Sequence, residues 1–364
     1  MRITIVAGAR PNFMKIAPII DAFKAQQLKG VNLKFRLVHT GQHYDKNLSE
    51  TFFKELNIPY PDVNLNVKSG TQAEQTAAIM IAFEKDLMKN PTDLVLVVGD
   101  VNSTMACAIV AKKEDVPVAH VEAGIRSGDM RMPEEINRIV TDSLTDYFFT
   151  TSEHANTNLR QVGVSDNAIF FTGNVMIDTL LKHKARFKQP DIWKQLGLKS
   201  KAYLVLTLHR PSNVDEEKML KNLIEVIGDN SKGFPIIFPV HPRTRQILNR
   251  LEIAIDHLHL VDPLGYLEFN YLVSNALGVL TDSGGITEEA TVMNIPCITL
   301  RDTTERPETC EIGTNVLVGN DHDLLKQKLK AMVENNWKQG QIPILWDGQA
   351  ATRIVNHLIE IFNL

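Results

Sequence analysis

Cysteine is scarce in this chain: there are three in 364 residues, Cys107, Cys297 and Cys310, widely spaced and without a C-x-x-C pair. Neither a disulfide framework nor a structural zinc site is indicated, and a reducing cytoplasm is the expected location. Long apolar runs are also missing. No segment approaches the ~20 residues of a membrane span, and the short apolar start Ile3–Ala9 runs into Arg10-Pro11-Asn12, where a secretory signal would need a cleavage site. No membrane insertion is therefore expected. The formal net charge is −4 with no block of one sign, which argues against nucleic acid; an anionic ligand would have to be met locally. The first strand ends in Gly8-Ala9-Arg10-Pro11-Asn12, with one glycine and no G-x-G-x-x-G, which counts against a nicotinamide cofactor. His209 and His241 are too far apart, and too short of acidic neighbours, for a metal site. No cofactor is expected.

What the chain does contain is alternation. Short β-branched apolar runs (Ile3–Ala7, Phe35–Thr40, Leu94–Val98, Val118–Val121, Tyr147–Thr150) are separated by longer amphipathic segments, as in βαβ units. A second series follows: Tyr203–Leu208, Ile236–Val240, Leu258–Val261, Gly278–Leu280 and Cys297–Leu300. Length and pattern predict an α/β protein of two domains with parallel sheets, 1–175 and 176–350. The last amphipathic segment, Ala351–Ile361, can pack on either half.

The stretch Thr281–Ala290 reads as strand, tight turn and helix. Two glycines let backbone N–H groups approach a ligand, and the helix start favours an anion. Glu289 falls on the face of Ile286, Ala290 and Met293, where an unpartnered carboxylate would be costly. Its partner is either a ribose diol beside a bound diphosphate or a nearby arginine.

Acidic residues gather at strand ends in the first half. Asp100, after Gly99, is either the cap of the next helix or a working carboxylate. Glu122 stands at the end of the neighbouring apolar run. Pro133 suits a helix start, and Ile136, Ile139, Val140 and Leu144 form the expected core stripe. Glu134 and Arg138 then share the opposite face, either as an exposed pair worth about 0.3–0.5 kcal/mol or as part of a site that handles protons. In the second half His209-Arg210 and His241-Pro242-Arg243 each follow a strand, and with Ser283-Gly284-Gly285 they outline a phosphate-facing edge. Arg306, in Asp302–Glu308, either clamps phosphate or neutralises nearby carboxylates.

Taken together, these motifs resemble the non-hydrolysing UDP-N-acetylglucosamine 2-epimerases, over essentially the whole chain: Gly8-Ala9-Arg10-Pro11, Gly99-Asp100, His120–Gly124, Pro133–Arg138, His209-Arg210, Asp282–Ile286 with Glu288-Glu289, and Arg301–Glu308. The resemblance implies two Rossmann-like domains facing a cleft (GT-B type), a C-terminal helix, 351–364, returning to the first domain, and a homodimer. It implies a UDP-N-acetylhexosamine substrate, with Arg10, Lys15, Phe269, Ser283, Gly284, Gly285, Glu289 and Arg306 around UDP. Asp100, Glu122, Glu134, Arg138 and His209 would stand near the sugar chemistry. Gln42, His43, Gln72, Arg210 and His241 resemble the place where some bacterial members bind a second UDP-GlcNAc, while Tyr44, Asp45 and Thr71 depart from it. The expected reaction is reversible C2 epimerisation through elimination of UDP and a 2-acetamidoglucal. A GT-B glycosyltransferase and a hydrolysing epimerase are the alternatives.

Overall fold

The structure, a computed structural model, describes residues 1–41, 55–56, 58–214, 216–240, 242–251 and 253–364. The chain divides into two units, Met1–Lys182 with Ile344–Leu364, and His183–Pro343. Among the described residues, the first unit carries strands β1 (Arg2–Ala7), β2 (Lys34–His39), β3 (Val63–Asn64), β4 (Leu94–Val98), β5 (Val118–Val121), β6 (Tyr147–Thr150) and β7 (Ile169–Phe171), in the order β3-β2-β1-β4-β5-β6-β7. The second carries β8 (Leu204–Thr207), β9 (Ile236–Pro239), β10 (Leu258–Val261), β11 (Gly278–Thr281), β12 (Cys297–Thr299) and β13 (Asn315–Leu317), in the order β10-β9-β8-β11-β12-β13. Every pairing is parallel. The expected α/β class and two Rossmann-like domains are what the chain forms.

Both sheets are covered on both faces, which is why their strands read as continuous apolar runs rather than alternating ones. All five residues of β4 are buried. In β8, Leu204 and Leu206 enter one apolar cluster with Ile224 and Phe238, while Val205 enters another with Val273 and Ala290. In each sheet the order reverses beside its first strand, between β1 and β4 and between β8 and β11. Loops leaving the carboxyl ends of such strands diverge and leave room for a ligand.

The sequence division at 175/176 falls at the start of helix Val175–His183, whereas the observed division lies near its end. Side-chain hydrogen bonds tie this helix to the first unit. Thr179 Oγ1 donates to the Met14 carbonyl at 2.6 Å, and the Asp178 carboxylate accepts the N–H groups of Ala350 (3.1 Å) and Ala351 (2.7 Å). Asp178 thereby caps helix Ala350–Ile361, which buries Ile354, Val355 and Leu358 and packs on helix Arg10–Leu28. Among the described residues no helix is long and apolar enough to cross a membrane.

Helix Pro133–Leu144 inverts the expectation. Its buried residues are Glu135, Asn137, Arg138, Thr141 and Asp142, while Ile136 is 44% and Ile139 38% exposed. The side turned to the sheet meets polar strand ends rather than apolar surface. Asn137 Nδ2 donates to the Asp100 carbonyl, and Asp142 meets His120. A stripe of isoleucines cannot satisfy such groups, and these polar side chains can.

Candidate active site

In the first unit the side chains converge at the switch point. Asn12, on the first turn of helix Arg10–Leu28, accepts the N–H groups of Gly8 (3.2 Å) and Ala9 (2.9 Å) and donates to the Val98 carbonyl (3.0 Å). It thus ties the loop after β1 to the end of β4. Gly99 follows with φ +72°, and a Cβ there would stand 3.2 Å from Lys15 Nζ and 3.8 Å from Glu122 Oε2. A side chain would fill the space those two groups share. Lys15 Nζ meets Glu122 Oε2 at 2.6 Å. Glu122 itself has φ +71°, a conformation that a non-glycine residue holds only where its surroundings enforce it.

Asp100 is not the helix cap. Val101 occupies that position at the start of helix Asn102–Lys113, and Asp100 Oδ2 instead accepts Arg138 Nη2 at 2.6 Å and Nε at 3.1 Å. Arg138 also donates to Glu135 Oε2 at 2.6 Å, so it bridges Asp100 and Glu135. Burial alone would raise the Glu135 carboxyl, but the N–H groups of Ser127 and Gly128 and the Arg138 guanidinium hold it below the usual range. Glu134 sits half-buried on the first turn of the same helix. Behind these groups, buried His120 spans Asp142 Oδ1 (2.7 Å) and the Gly99 carbonyl (2.8 Å). Arg126 closes on Asp142 Oδ2 at 2.6 Å.

In the second unit, Asp282 occupies the switch point between β8 and β11 and is fully buried. It accepts the N–H groups of His209 and Arg210, His209 Nδ1 and Asn213 Nδ2. Burial would raise its carboxyl, and these donors hold it below the ordinary value. Ser283 precedes helix Gly284–Val292 without a side-chain cap, so the first-turn N–H groups around Gly284 and Gly285 have no intrahelical acceptor and can receive an anion. Glu289 is 4% exposed; the Tyr266 hydroxyl donates to its Oε1 at 2.8 Å, and the Asn270 side chain also hydrogen-bonds it. Burial pushes the Glu289 carboxyl up to about 7, with the charge of Glu288 adding to the rise and the Tyr266 bond opposing it. An arginine, one of the two partners open to Glu289, goes instead to its neighbour: Arg306 Nε donates to Glu288. Arg301 meets Glu305 through both Nη atoms at 2.8 Å. Phe269 lies one turn after Tyr266, half-buried against the apolar core.

Residues 26–359 match the family model described as UDP-N-acetylglucosamine 2-epimerase. The chain belongs to the UDP-N-acetylglucosamine 2-epimerase family. The UDP-N-acetylglucosamine 2-epimerase of Methanocaldococcus jannaschii is 42% identical over 370 residues, covering 98% of this chain and 99% of the relative. A crystal structure of the M. jannaschii UDP-GlcNAc 2-epimerase in complex with UDP-GlcNAc and UDP matches with a TM-score of 0.87 at 41% identity, over 99% of this chain and 100% of that one. The UDP-2,3-diacetamido-2,3-dideoxy-D-glucuronate 2-epimerase of Pseudomonas aeruginosa is 39% identical over 366 residues, 99% of this chain and 100% of the relative.

Within this epimerase-family chain, Lys15, Gln72, Asp100, Glu122, Glu134 and Arg138 lie in the first unit, and His209, Arg210, Phe269, Ser283, Gly284, Gly285, Glu289 and Arg306 in the second. Gln42, His43 and His241 fall outside the described residues, as does the side chain of Arg10. Gln72 Oε1 accepts Asn102 Nδ2 at 2.7 Å, and Arg210 reaches Glu305 at 3.6 Å. Among the described residues no cluster of His, Cys, Asp and Glu could hold a metal ion. Asn12, Glu135, Asp142 and Asp282 are site residues that no sequence motif singles out for a role of their own. Each is polar and at most 5% exposed, and each holds a neighbouring loop in place. For Glu135 and Asp142 the available signal was two acids on the buried side of an amphipathic helix.

Proposed function

We propose that the protein interconverts UDP-N-acetylglucosamine and UDP-N-acetylmannosamine by elimination and re-addition of UDP, without hydrolysis. The observation that carries this reading is the convergence of Glu122, Lys15, Asp100 and Arg138 on the switch point of the first sheet, in a chain of this family. The hydrogen at C2 of an N-acetylhexosamine is not acidic, because no ring carbonyl adjoins it. Stretching of the C1–O bond to UDP creates an oxocarbenium-like centre and makes that C–H acidic. The open helix start at Gly284-Gly285 receives the charge of the departing diphosphate, and Glu289 takes the ribose hydroxyls. Arg10, Lys15, Phe269, Ser283 and Arg306 complete the expected UDP set. Among Asp100, Glu122 and Glu134, carboxylates steady the cation and one acts as general base. Arg138 sets Asp100, and His209 serves the same chemistry. The product of the first half-reaction is UDP and 2-acetamidoglucal; re-addition with protonation from the other face gives the C2 epimer. Water must be excluded, since its attack on the cation would release free sugar.

The 39% identity to the Pseudomonas enzyme favours a second reading in the same reaction class, in which the substrate carries further groups at C3 and C6. Incubation with a panel of UDP-sugars tests both. UDP-N-acetylmannosamine formed from UDP-N-acetylglucosamine, with no free sugar, supports the first; free N-acetylmannosamine would mark a hydrolysing enzyme. Sugar transfer only to an added acceptor would mark a glycosyltransferase. We propose further that the protein is a homodimer. The exposed Ile136 and Ile139 on a helix that buries its polar side support this, because apolar area turned to solvent favours association.

A further inference from the structure

We propose that Asp282 is a positioning residue that fixes the His209 ring with Nδ1 bound inward, leaving Nε2 to the substrate. The proposal rests on the reading of the protein as a UDP-sugar enzyme. His209 and Asp282 follow adjacent strands whose last residues, Thr207 and Thr281, are in register. One Asp282 carboxylate, with no exposed surface, gathers the whole loop. Its Oδ2 accepts the N–H groups of His209 (3.0 Å) and Arg210 (2.9 Å) and Nδ2 of Asn213 (3.0 Å). Its Oδ1 faces His209 Nδ1 at 3.0 Å. Asn213 also donates to the Leu300 carbonyl at 3.2 Å, and Arg210 Nε to the Asp282 carbonyl at 3.3 Å.

An ionised carboxylate can only accept, so the proton between Asp282 Oδ1 and the His209 ring belongs to Nδ1. Nε2 then carries the lone pair of the neutral ring. The two halves of the contact differ in exposure: the His209 side chain is 62% exposed and that of Asp282 is fully buried. The arrangement is that of an imidazole oriented by a buried carboxylate, which sets both ring angle and tautomer for whatever the outer nitrogen touches. Asp282 thus acts on the reaction through His209, at the edge where the helix start Gly284-Gly285 presents its N–H groups.

Asp282→Asn separates this role from simple loop support. Its amide oxygen can keep the Oδ2 contacts, with only the longer His209 N–H contact to Oδ1 (3.2 Å) given up, while the amide nitrogen, at the Oδ1 position, donates to His209 Nδ1 and drives the ring proton to Nε2. Nitrogen-15 NMR of the labelled protein, on the alkaline side of the ring's titration, should show Nδ1-protonated His209 in the wild type and Nε2-protonated His209 in the variant. The variant should lose kcat by about a hundredfold or more while retaining UDP affinity. In a His209→Asn background the same change should cost little further, because the two residues act as one unit. An Nε2-protonated ring in the wild type would overturn the proposal even if the variant failed to fold. So would an equal kcat loss with and without His209. The NMR result does not depend on turnover, so an inactive wild type would sink the functional reading and leave the tautomer assignment standing.

Discussion

Lys15 and Glu122 form a buried ion pair 2.6 Å long, the lysine side chain 13% exposed and the glutamate 3%. The lysine, expected to face the nucleotide, is given over to one of the carboxylates assigned to the sugar. Burying two charges is costly, and the geometry that offsets the cost is lost when one partner is removed. Lys15→Met should therefore destabilise the protein by about 3 kcal/mol. Lys15→Met combined with Glu122→Gln should recover most of that loss in urea denaturation. Glu122→Gln alone keeps the side-chain shape and should lower kcat by about 10²–10⁴, and because it leaves the Lys15 ammonium buried without its counter-charge it too should destabilise the protein by about 3 kcal/mol. A stability loss in the double variant equal to the sum of the two single losses would contradict the pairing.

Glu289 gives a pH dependence with a definite sign. Burial raises its carboxyl from 4.5 to about 7, so between those values the folded state holds more protons than the unfolded one. Stability from this group accordingly falls as pH rises through the window, and the cost is complete above it. Glu289→Gln removes that cost. The variant should be more stable than the wild type by up to about 3 kcal/mol at pH 8, shrinking to about 1 kcal/mol at pH 5. The same substitution should weaken UDP binding in calorimetry, since the ribose loses its carboxylate. A variant less stable than the wild type at pH 8 would contradict the burial account.

Much of this was legible in the residues. Apolar runs such as Leu94–Val98 and Gly278–Leu280 mark strands because a parallel sheet covered on both faces needs no alternation. The two-residue β3 carries too few side chains to leave such a mark, and β13 opens on a buried asparagine, Asn315, rather than an apolar residue. Asp100 and Glu122 could be placed at strand ends, but their partners could not. Arg138 was read at i+4 from Glu134, and only the fold shows it turned toward Asp100 and Glu135. Helix Pro133–Leu144 was read backwards for the same reason. Its periodicity was correct, and the assumption that an isoleucine stripe faces the sheet fails where the sheet edge is polar.

The exposed side of that helix is open to a direct test. Ile136→Glu with Ile139→Glu places two charges where the homodimer reading needs apolar surface, and neither residue belongs to the buried face of the helix. Analytical ultracentrifugation should show a dimer for the wild type and a monomer for the double variant. A dimer that persists in the double variant would place the interface elsewhere.

In the proposed mechanism the C2 proton leaves while UDP is detached, and one measurement addresses that step most directly. UDP-N-acetylglucosamine incubated with the enzyme in heavy water should acquire deuterium at C2 in both the remaining substrate and the UDP-N-acetylmannosamine product, as read by proton NMR. Formation of the epimer with C2 still carrying its original hydrogen would contradict the elimination mechanism.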